Sequence, residues 1–163
     1  MIVRKAEIKD AAQITAIYNF YIENTHHTFE TEPINSAEMQ RRIEIIIENY
    51  PFLVAEESGE ITAYAYATKY KPRAAYKHSV EVSVYVKNGE SGKGIGVKLY
   101  RKLLEELSVM DIHAIIAGIA LPNDASITLH EKFGFEKVAH FREVGLKFGR
   151  WINVGYWELI NNE

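Results

Sequence analysis

A run of alternating glycines limits what this chain can fold into more than any other feature of its sequence. Gly92, Gly94 and Gly96 follow the apolar segment His78–Val86 and precede apolar residues that recur with helical spacing: Val97, Tyr100, Leu103, Leu104 and Leu107. A strand, a glycine loop and a helix in this order direct backbone N–H groups and the positive end of the helix dipole toward an anion. The loop therefore predicts an α/β fold that binds a phosphate group. The alternative is a flexible turn, because short glycine motifs also match by chance.

Two better-known nucleotide-binding loops fit these residues poorly. A Walker loop needs Ser or Thr after its Gly-Lys pair, whereas Lys93 is followed by Gly94. The dinucleotide fingerprint needs two residues between its second and third glycines, whereas Ile95 alone separates Gly94 from Gly96. The sequence therefore excludes a P-loop and gives a dinucleotide site little support.

The rest of the chain predicts a single domain over residues 1–163 without a linker or a repeat. Helices are expected after an N-cap at Asp10 with Gln13 as its partner, after a cap at Ser36, after the glycine loop and over Asn123–Phe133. Strands are expected at Ile2–Ile8, Phe52–Glu56, Ile61–Lys69, His78–Val86, Ile112–Ile119, Phe135–Val144 and Val154–Ile160. The expected architecture is a mixed, mostly antiparallel central sheet of about seven strands, flanked by about four helices.

Composition excludes several classes of function. A net charge of −3 gives no electrostatic drive toward nucleic acid, and the absence of cysteine excludes disulfides and thiolate chemistry. No apolar run approaches the length of a membrane span, so a cytoplasmic protein without a membrane partner is expected. His26 and His27 have no further ligands spaced around them, so no metal site is expected.

The glycine loop resembles the pyrophosphate loop of the GCN5-related N-acetyltransferases, the GNAT family. That pattern is Gln or Arg, two residues, Gly, one residue, then Gly or Ala, and this chain departs from it only by Ser91 at the first position. A second family motif matches at Asn123 and Ser126, with His130 where a tyrosine is common. The segments Glu81–Val86, Leu121–Asp124 and Lys147–Trp151 make the chain resemble the phosphinothricin and methionine sulfoximine acetyltransferase group in particular.

The resemblance implies transfer of an acetyl group from acetyl-CoA, the co-substrate, to a small-molecule amine. Lys93 adds a positive charge that could offset the long donor missing at Ser91. The implied co-substrate contacts are Val84, Tyr85, Val86, Gly92, Lys93, Gly94, Ile95, Gly96, Val97, Asn123 and Ser126. The valine backbones would pair with the pantetheine arm as a short added strand does.

Acetyl transfer to an amine needs a base, because the amine is mostly protonated at neutral pH. Glu81 lies on the central strand just before the glycine loop and is the expected base, the alternative being a solvated carboxylate. In a regular strand Glu81, Ser83 and Tyr85 point to one face and the valines between them to the other. Backbone N–H groups of Tyr85 or Val86 are expected to hold the thioester oxygen. His130 either relays a proton or is a buried structural side chain.

The acceptor site is implied by the same resemblance. Arg73 would bind the acceptor carboxylate, since arginine offers planar bidentate recognition; an exposed loop charge is the alternative. Tyr76 and Phe29 would form pocket walls, and Ser83 would add a hydroxyl. The full implied substrate set is Phe29, Arg73, Ala74, Ala75, Tyr76, Glu81, Val82 and Ser83.

The family also implies a homodimer, with the aromatic and basic segment around Lys147–Trp151 at its interface. The same segment could instead be an ordinary core hairpin, since aromatic residues are common in both settings. Two other functions stay open. The first is an N-acetyltransferase for a protein N-terminus, a polyamine or an antibiotic, and the second is a non-catalytic acyl-CoA sensor.

Overall fold

The structure, a computed structural model, describes residues 1–162. Its strands are β1 (Ile2–Lys5), β2 (Phe52–Glu57), β3 (Glu60–Lys69), β4 (Ser79–Val86), β5 (Ala114–Ala120), β6 (Glu136–Lys147) and β7 (Arg150–Ile160). Its α-helices are α1 (Ala11–Asn24), α2 (Ser36–Ile47), α3 (Ile95–Ser108) and α4 (Asp124–Lys132). The strands form one sheet of order β1-β2-β3-β4-β5-β7-β6. Only β4 and β5 pair in parallel, which confirms the expected mixed, mostly antiparallel sheet.

Helices cover both faces of the sheet, and each face has its own core. On one face, Leu99, Leu103 and Leu107 of α3 are wholly buried, and the helix packs against β2, β3 and β4. Each such leucine contributes roughly 2 kcal/mol by leaving water. On the other face, Ile14 and Ile22 of α1 pack with α2 and with the aromatic side chains of β2 and β3. The helical spacing of Leu103, Leu107, Ile14 and Ile22 in the sequence therefore identified the buried faces correctly.

One of the two predicted helix caps is wrong. Asp10 occupies the N-cap position of α1, as expected, but makes no capping bond to that helix, and the Gln13 side chain bonds Gly59 and Ile61 instead. Asp10 lies in a 3-10 turn, Ile8–Asp10, where its carboxylate accepts the Glu7 N–H at 2.8 Å and a bidentate pair of bonds from Arg4. This turn ends β1 at Lys5, earlier than expected. The cap of α2 is Asn35, whose side chain accepts the Glu38 N–H at 2.8 Å, so Ser36 is the first helical residue.

The last two strands are longer than the sequence predicts and form a hairpin that turns at Phe148 and Gly149. Both turn residues have positive φ, 52° and 69°. A bulge interrupts the pairing between Phe141 and Gly145, and Glu143 within it donates its N–H to the Asn153 side chain at 2.8 Å. The apolar and polar residues of β6 lose their alternation at this bulge, which is why its full length was missed.

None of the helices described in residues 1–162 combines the length and the apolar character needed to cross a membrane.

Candidate functional site

The parallel strands β4 and β5 pair over only three residues and then separate, which opens a cleft in the middle of the sheet. The last pair joins Glu81 to Ile116. Beyond it, β4 stays paired with β3, and β5 with β7. The resulting cleft has a volume of about 660 Å³ and is bounded by the end of β4, by the glycine loop and by α4.

The direction of the β4 backbone groups decides which of them face this cleft. Lys87 donates its N–H to Thr62 beside β3 at 2.8 Å, and the register from Val80 to Val86 has no shift. Because successive residues of a strand point their N–H and C=O groups to alternate sides, Tyr85 and Ser83 face β3. The N–H groups of Val84 and Val86 face the cleft. Tyr85 is therefore wrong as an oxyanion donor, and Val86 is the alternative that the geometry allows.

The glycine loop has the backbone conformation that the sequence suggested. Gly92 and Gly94 have φ of 81° and 79°, the left-handed region that other residues adopt only with strain. Gly94 is the N-cap of α3, and a Cβ at either position would meet no atom within 4 Å. The glycines are thus required for backbone shape rather than for packing. They leave the N-terminus of α3 open to an anion.

The charged residues of the loop pair with each other. Lys93 donates from Nζ to Glu90 Oε2 at 2.9 Å, and this hydrogen bond raises the pKa of Lys93. Glu90 and Ser91 line the cleft, whereas Lys93 is not among its lining residues. The cation expected to offset the missing donor at position 91 is therefore partly neutralised by a carboxylate.

On the opposite wall, α4 presents Asn123, Ser126 and His130. The Asn123 side chain caps the helix by accepting the Ser126 N–H at 3.2 Å. His130 is almost wholly buried, and its Nδ1 lies 2.7 Å from the Ser126 carbonyl. Because a carbonyl can only accept, Nδ1 carries the hydrogen, and Nε2 accepts from the Tyr100 hydroxyl at 2.7 Å. Burial lowers the pKa of His130, which favours this neutral form.

Glu81 lies at the point where the two strands part. A Cβ added to Gly118 of β5 would lie 3.7 Å from Glu81 Oε1 and 3.1 Å from Cε1 of Tyr156. The carboxylate is therefore directed across the opening between the strands, beside Tyr156. Burial raises the pKa of Glu81, and a carboxylate with a raised pKa is a stronger base near neutral pH.

Other polar groups surround Tyr156 on this face of the sheet. Burial raises the pKa of Tyr156, and smaller charge effects come from Glu81 and from Tyr70 and Lys71 in the connection between β3 and β4. Phe141 of β6 packs edge-on against the Tyr156 ring with centroids 5.6 Å apart. Glu81 thus lies at the opening between the strands, with the aromatic side chains of Tyr156 and Phe141 beside it, and the surface around Tyr156 is called the recess below.

The predicted substrate residues divide between these two regions. Val82 and Ser83 line the cleft, and Ser83 is paired with Tyr66 of β3. Arg73, Ala74 and Ala75 are exposed in the β3–β4 connection, outside the cleft lining, and Arg73 precedes a 3-10 turn over Ala74–Tyr76. The ring of Tyr76 packs edge-on against Tyr70. Phe29 lies against Gly145 of β6.

Several residues that line the cleft were not predicted from the sequence. Tyr21 of α1 donates its hydroxyl to the Val86 carbonyl, and His27 lies beside it with ring centroids 6.0 Å apart. Lys132 and Thr128 project from α4 into the same space. Lys132 could have been found from its spacing, because it lies on the cleft side of α4 with Thr128 one turn earlier. Tyr21 and His27 reach the site only through tertiary packing.

The fold and site define a class of protein, and comparison with known families agrees. Residues 3–154 match the acetyltransferase (GNAT) domain. The chain belongs to the GNAT family of acetyltransferases.

Individual relatives narrow this resemblance. The chain is 41% identical to a phosphinothricin N-acetyltransferase of Streptomyces coelicolor, over 96% of this chain and 94% of that protein. It is 36% identical to an L-methionine sulfoximine/L-methionine sulfone acetyltransferase of Pseudomonas aeruginosa, over 96% and 92% of the two chains. The Salmonella typhimurium yncA acetyltransferase, solved with its cofactor acetyl-CoA, superimposes with a TM-score of 0.97 at 35% identity, over 100% and 95% of the chains.

These findings confirm the predicted family, the GNAT fold, the N-acetyltransferase class and acetyl-CoA as co-substrate. The roles assigned to individual residues stay predictions, as do the cytoplasmic location and the absence of a nucleic-acid partner.

Proposed function

We propose that residues 1–163 form one acetyltransferase domain that moves the acetyl group of acetyl-CoA to the α-amine of a small amino acid analogue of the phosphinothricin or methionine sulfoximine type. The observation that carries the proposal is the position of Glu81. It is the last β4 residue paired with β5, so its carboxylate stands between the cleft and the recess around Tyr156. A base at this position can take a proton from an amine that is bound in the recess while the thioester lies in the cleft.

The cleft has the features that acetyl-CoA requires. The N–H groups of Val84 and Val86 are free of β3, and the open glycine loop offers donors to a pyrophosphate. Lys132 adds a positive charge on the facing wall. Bound in this way, acetyl-CoA supplies an activated acetyl group as a thioester.

Glu81 accepts the proton that the acceptor ammonium must lose before its nitrogen can attack the thioester carbon. The N–H of Val86 stabilises the oxygen that becomes negative in the tetrahedral intermediate. The intermediate then collapses: the carbon–sulfur bond breaks, the nitrogen loses its second proton and the departing thiolate gains one, which yields the N-acetyl product and CoA thiol. His130 has both ring nitrogens bonded within the protein, so a role in proton delivery requires exchange through Ser126 or Tyr100.

The recess beside Glu81 suits an amino acid. Tyr156 and Phe141 offer apolar walls, while Lys71 and the exposed Arg73 provide cations for a carboxylate. The names of the relatives point to the same class of acceptor.

Thiol release from acetyl-CoA should be measured with phosphinothricin, methionine sulfoximine, methionine sulfone, common L-amino acids, polyamines, aminoglycosides and a peptide with a free N-terminus. We expect the highest kcat/KM for one of the amino acid analogues. Arg73→Ala should raise the KM of that acceptor and leave its kcat nearly unchanged. Preference for a polyamine or a peptide would overturn the acceptor class, and binding of acetyl-CoA without turnover of any amine would indicate a sensor.

Replacement of the base tests the mechanism. Glu81→Gln should keep the KM of acetyl-CoA and lower kcat by about 100-fold or more, the usual contribution of a general base. In the wild type the rate should fall as the pH drops through the raised pKa of Glu81, because protonation removes the acceptor for the proton. Glu44→Gln, on the exposed face of α2, is the matched control. An unchanged pH–rate profile in Glu81→Gln would exclude Glu81 as the base.

We also propose that the protein is a homodimer formed through the β6–β7 hairpin. β6 is an edge strand whose far side pairs with no other described strand. Large apolar side chains of this hairpin are exposed, namely Val138, Phe141, Val144, Leu146, Phe148 and Trp151. Exposed apolar patches of this kind favour association, and a second copy of the chain would cover them symmetrically.

A further inference from the structure

The segment Thr25–Glu30 is the first part of the connection between α1 and α2, and hydrogen bonds hold it at several points. The Thr28 hydroxyl lies 2.9 Å from the Tyr18 hydroxyl of α1. Arg42 of α2 forms a bidentate pair with Glu30, at 2.7 and 2.8 Å. These bonds tie the segment to the two helices of its own half of the sheet.

A buried lysine on the other half of the sheet also holds this segment. Lys147 of β6 is only 4% exposed and donates from Nζ to the Thr28 carbonyl at 2.8 Å. Its positive charge contributes to the lowered pKa of His27, and the charge of Glu30 acts in turn on Lys147. A charged group buried this deeply is costly unless it is bonded, and the Thr28 carbonyl provides that bond. Lys147 therefore links β6 to a segment more than a hundred positions earlier in the chain.

Gly145, two residues before Lys147, contacts the next residue of the segment. A Cβ at Gly145 would lie 2.4 Å from Cε2 and Cζ of Phe29, so the ring rests directly on the glycine backbone. Gly145 is not in the left-handed region, so alanine would be tolerated by the backbone itself. Only the position of the Phe29 ring requires glycine there.

These contacts place Phe29 on the face of the sheet that carries Glu81. Gly145 pairs with Ile152 of β7, and residues directly opposite in an antiparallel pair share a face. Ile152 and Tyr156 lie on one face because they are four residues apart in the same strand. Tyr156 is the side chain beside Glu81 and Gly118. Phe29 and the proposed acceptor recess are therefore on the same side.

We propose that Lys147 and Gly145 are positioning residues for the acceptor: from β6 they fix the Thr25–Glu30 segment, and with it the Phe29 ring, as a wall of the acceptor recess. The assignment of the recess rests on the proposed function. Lys147 and Gly145 contact Thr28 and Phe29 and not the glycine loop. Of the segment they fix, only His27 lines the cleft, so acceptor binding should depend on the two residues more strongly than acetyl-CoA binding does.

Lys147→Met keeps the aliphatic stem and removes the bond to Thr28. We expect the KM of the amino acid acceptor to rise about tenfold, the effect of losing one charge-assisted hydrogen bond that orders the site. The KM of acetyl-CoA should rise by less than the KM of the acceptor, because His27 is the one residue of the segment that lines the cleft. Lys137→Met, an exposed lysine on the same strand, is the control and should change neither value.

Hydrogen exchange supplies a readout that does not depend on activity. Peptides covering residues 25–30 should exchange about tenfold faster in Lys147→Met than in the wild type, with peptides from α3 unchanged. If the wild type acetylates no amino acid, the proposed function fails, while the exchange rates still decide whether Lys147 fixes the segment. Unchanged exchange at residues 25–30, or an unchanged acceptor KM in an active protein, would overturn the inference.

Gly145→Ala tests the same wall without removing a charge and decides the matter if Lys147→Met does not fold. We expect a raised acceptor KM in Gly145→Ala, but no further rise when it is combined with Phe29→Ala, because the clash is then gone. If Gly145→Ala changes the acceptor KM equally with and without the Phe29 ring, Gly145 does not act through that ring.

Discussion

Replacement of Gly94 by alanine tests the glycine loop with a built-in control. Gly94 has φ of 79° and Gly59, in the β2–β3 turn, has φ of 81°; at both, a Cβ would meet nothing within 4 Å. The cost of alanine is therefore conformational at each site, about 1 to 2 kcal/mol. Gly59 belongs to a tight hairpin that cannot relax, so its cost should appear as lost stability. The exposed segment around Gly94 can relax into another conformation, so its cost should appear as lost affinity.

The expected result is a rise of roughly five- to thirtyfold in the KM of acetyl-CoA for Gly94→Ala, the same free energy expressed as affinity. Gly59→Ala should leave that KM unchanged and lower the free energy of unfolding by about 1 to 2 kcal/mol. Thiol release at saturating acceptor gives the KM, and urea denaturation gives the stability. An unchanged KM in Gly94→Ala would show that the loop conformation is not required for acetyl-CoA binding.

Three further outcomes are expected. Tyr100→Phe removes the hydroxyl that donates to His130 Nε2. It should lower the free energy of unfolding by about 1 to 2 kcal/mol and raise the pKa of His130 measured by NMR titration. Unchanged values would refute the assigned tautomer. Asp10→Asn should cost about 2 kcal/mol at pH 7 in thermal or urea unfolding. Burial opposes ionisation of Asp10, but the hydrogen bonds from Arg4 outweigh it and lower the pKa of Asp10 in the folded state. The difference in stability between wild type and variant should therefore be full above about pH 4 and shrink as the pH falls through that lowered pKa. Trp151→Glu should convert the dimer to a monomer in light scattering, and a dimer that persists would place the interface elsewhere.

The repeating features of the sequence were enough to predict most of the fold. The apolar residues of α3 recur every three or four positions, and apart from Val97, which lines the cleft, they lie in or against the core that covers one face of the sheet. Caps were less predictable, because several polar residues compete near each helix start. The Asp10 carboxylate binds Arg4 instead of the first turn of α1, and Asn35, one residue before the expected Ser36, is the cap of α2. The choice between neighbouring polar residues is made by tertiary partners that local sequence does not show.

The candidate site was predictable where it depends on one strand and one loop. Alternation along β4 correctly separates Tyr85 from the valines, since Tyr85 packs with the aromatic side chains near α1 and Val82 packs with α3. Side-chain direction does not tell which neighbouring strand takes a residue's N–H, and that choice removed Tyr85 as an oxyanion donor. For Tyr156 and Lys147, the sequence indicated only that they belong to a hairpin. Their approach to Glu81 and to Thr28 depends on how the two halves of the sheet meet.

The charge balance of the pyrophosphate loop leads to a last prediction. Glu90 lines the cleft and pairs with Lys93, so a negative charge stands near the expected pyrophosphate and holds the nearest loop cation. Glu90→Gln removes the charge and releases Lys93, so the KM of acetyl-CoA should fall by about twofold, the modest size expected of exposed charges. Salt screens such interactions, so the difference from wild type should disappear at about 1 M salt, where the Debye length is near 3 Å. A KM that is unchanged or raised at low salt would mean that the backbone N–H groups and the helix dipole alone determine how tightly the loop binds, and that Ser91 needs no charged substitute.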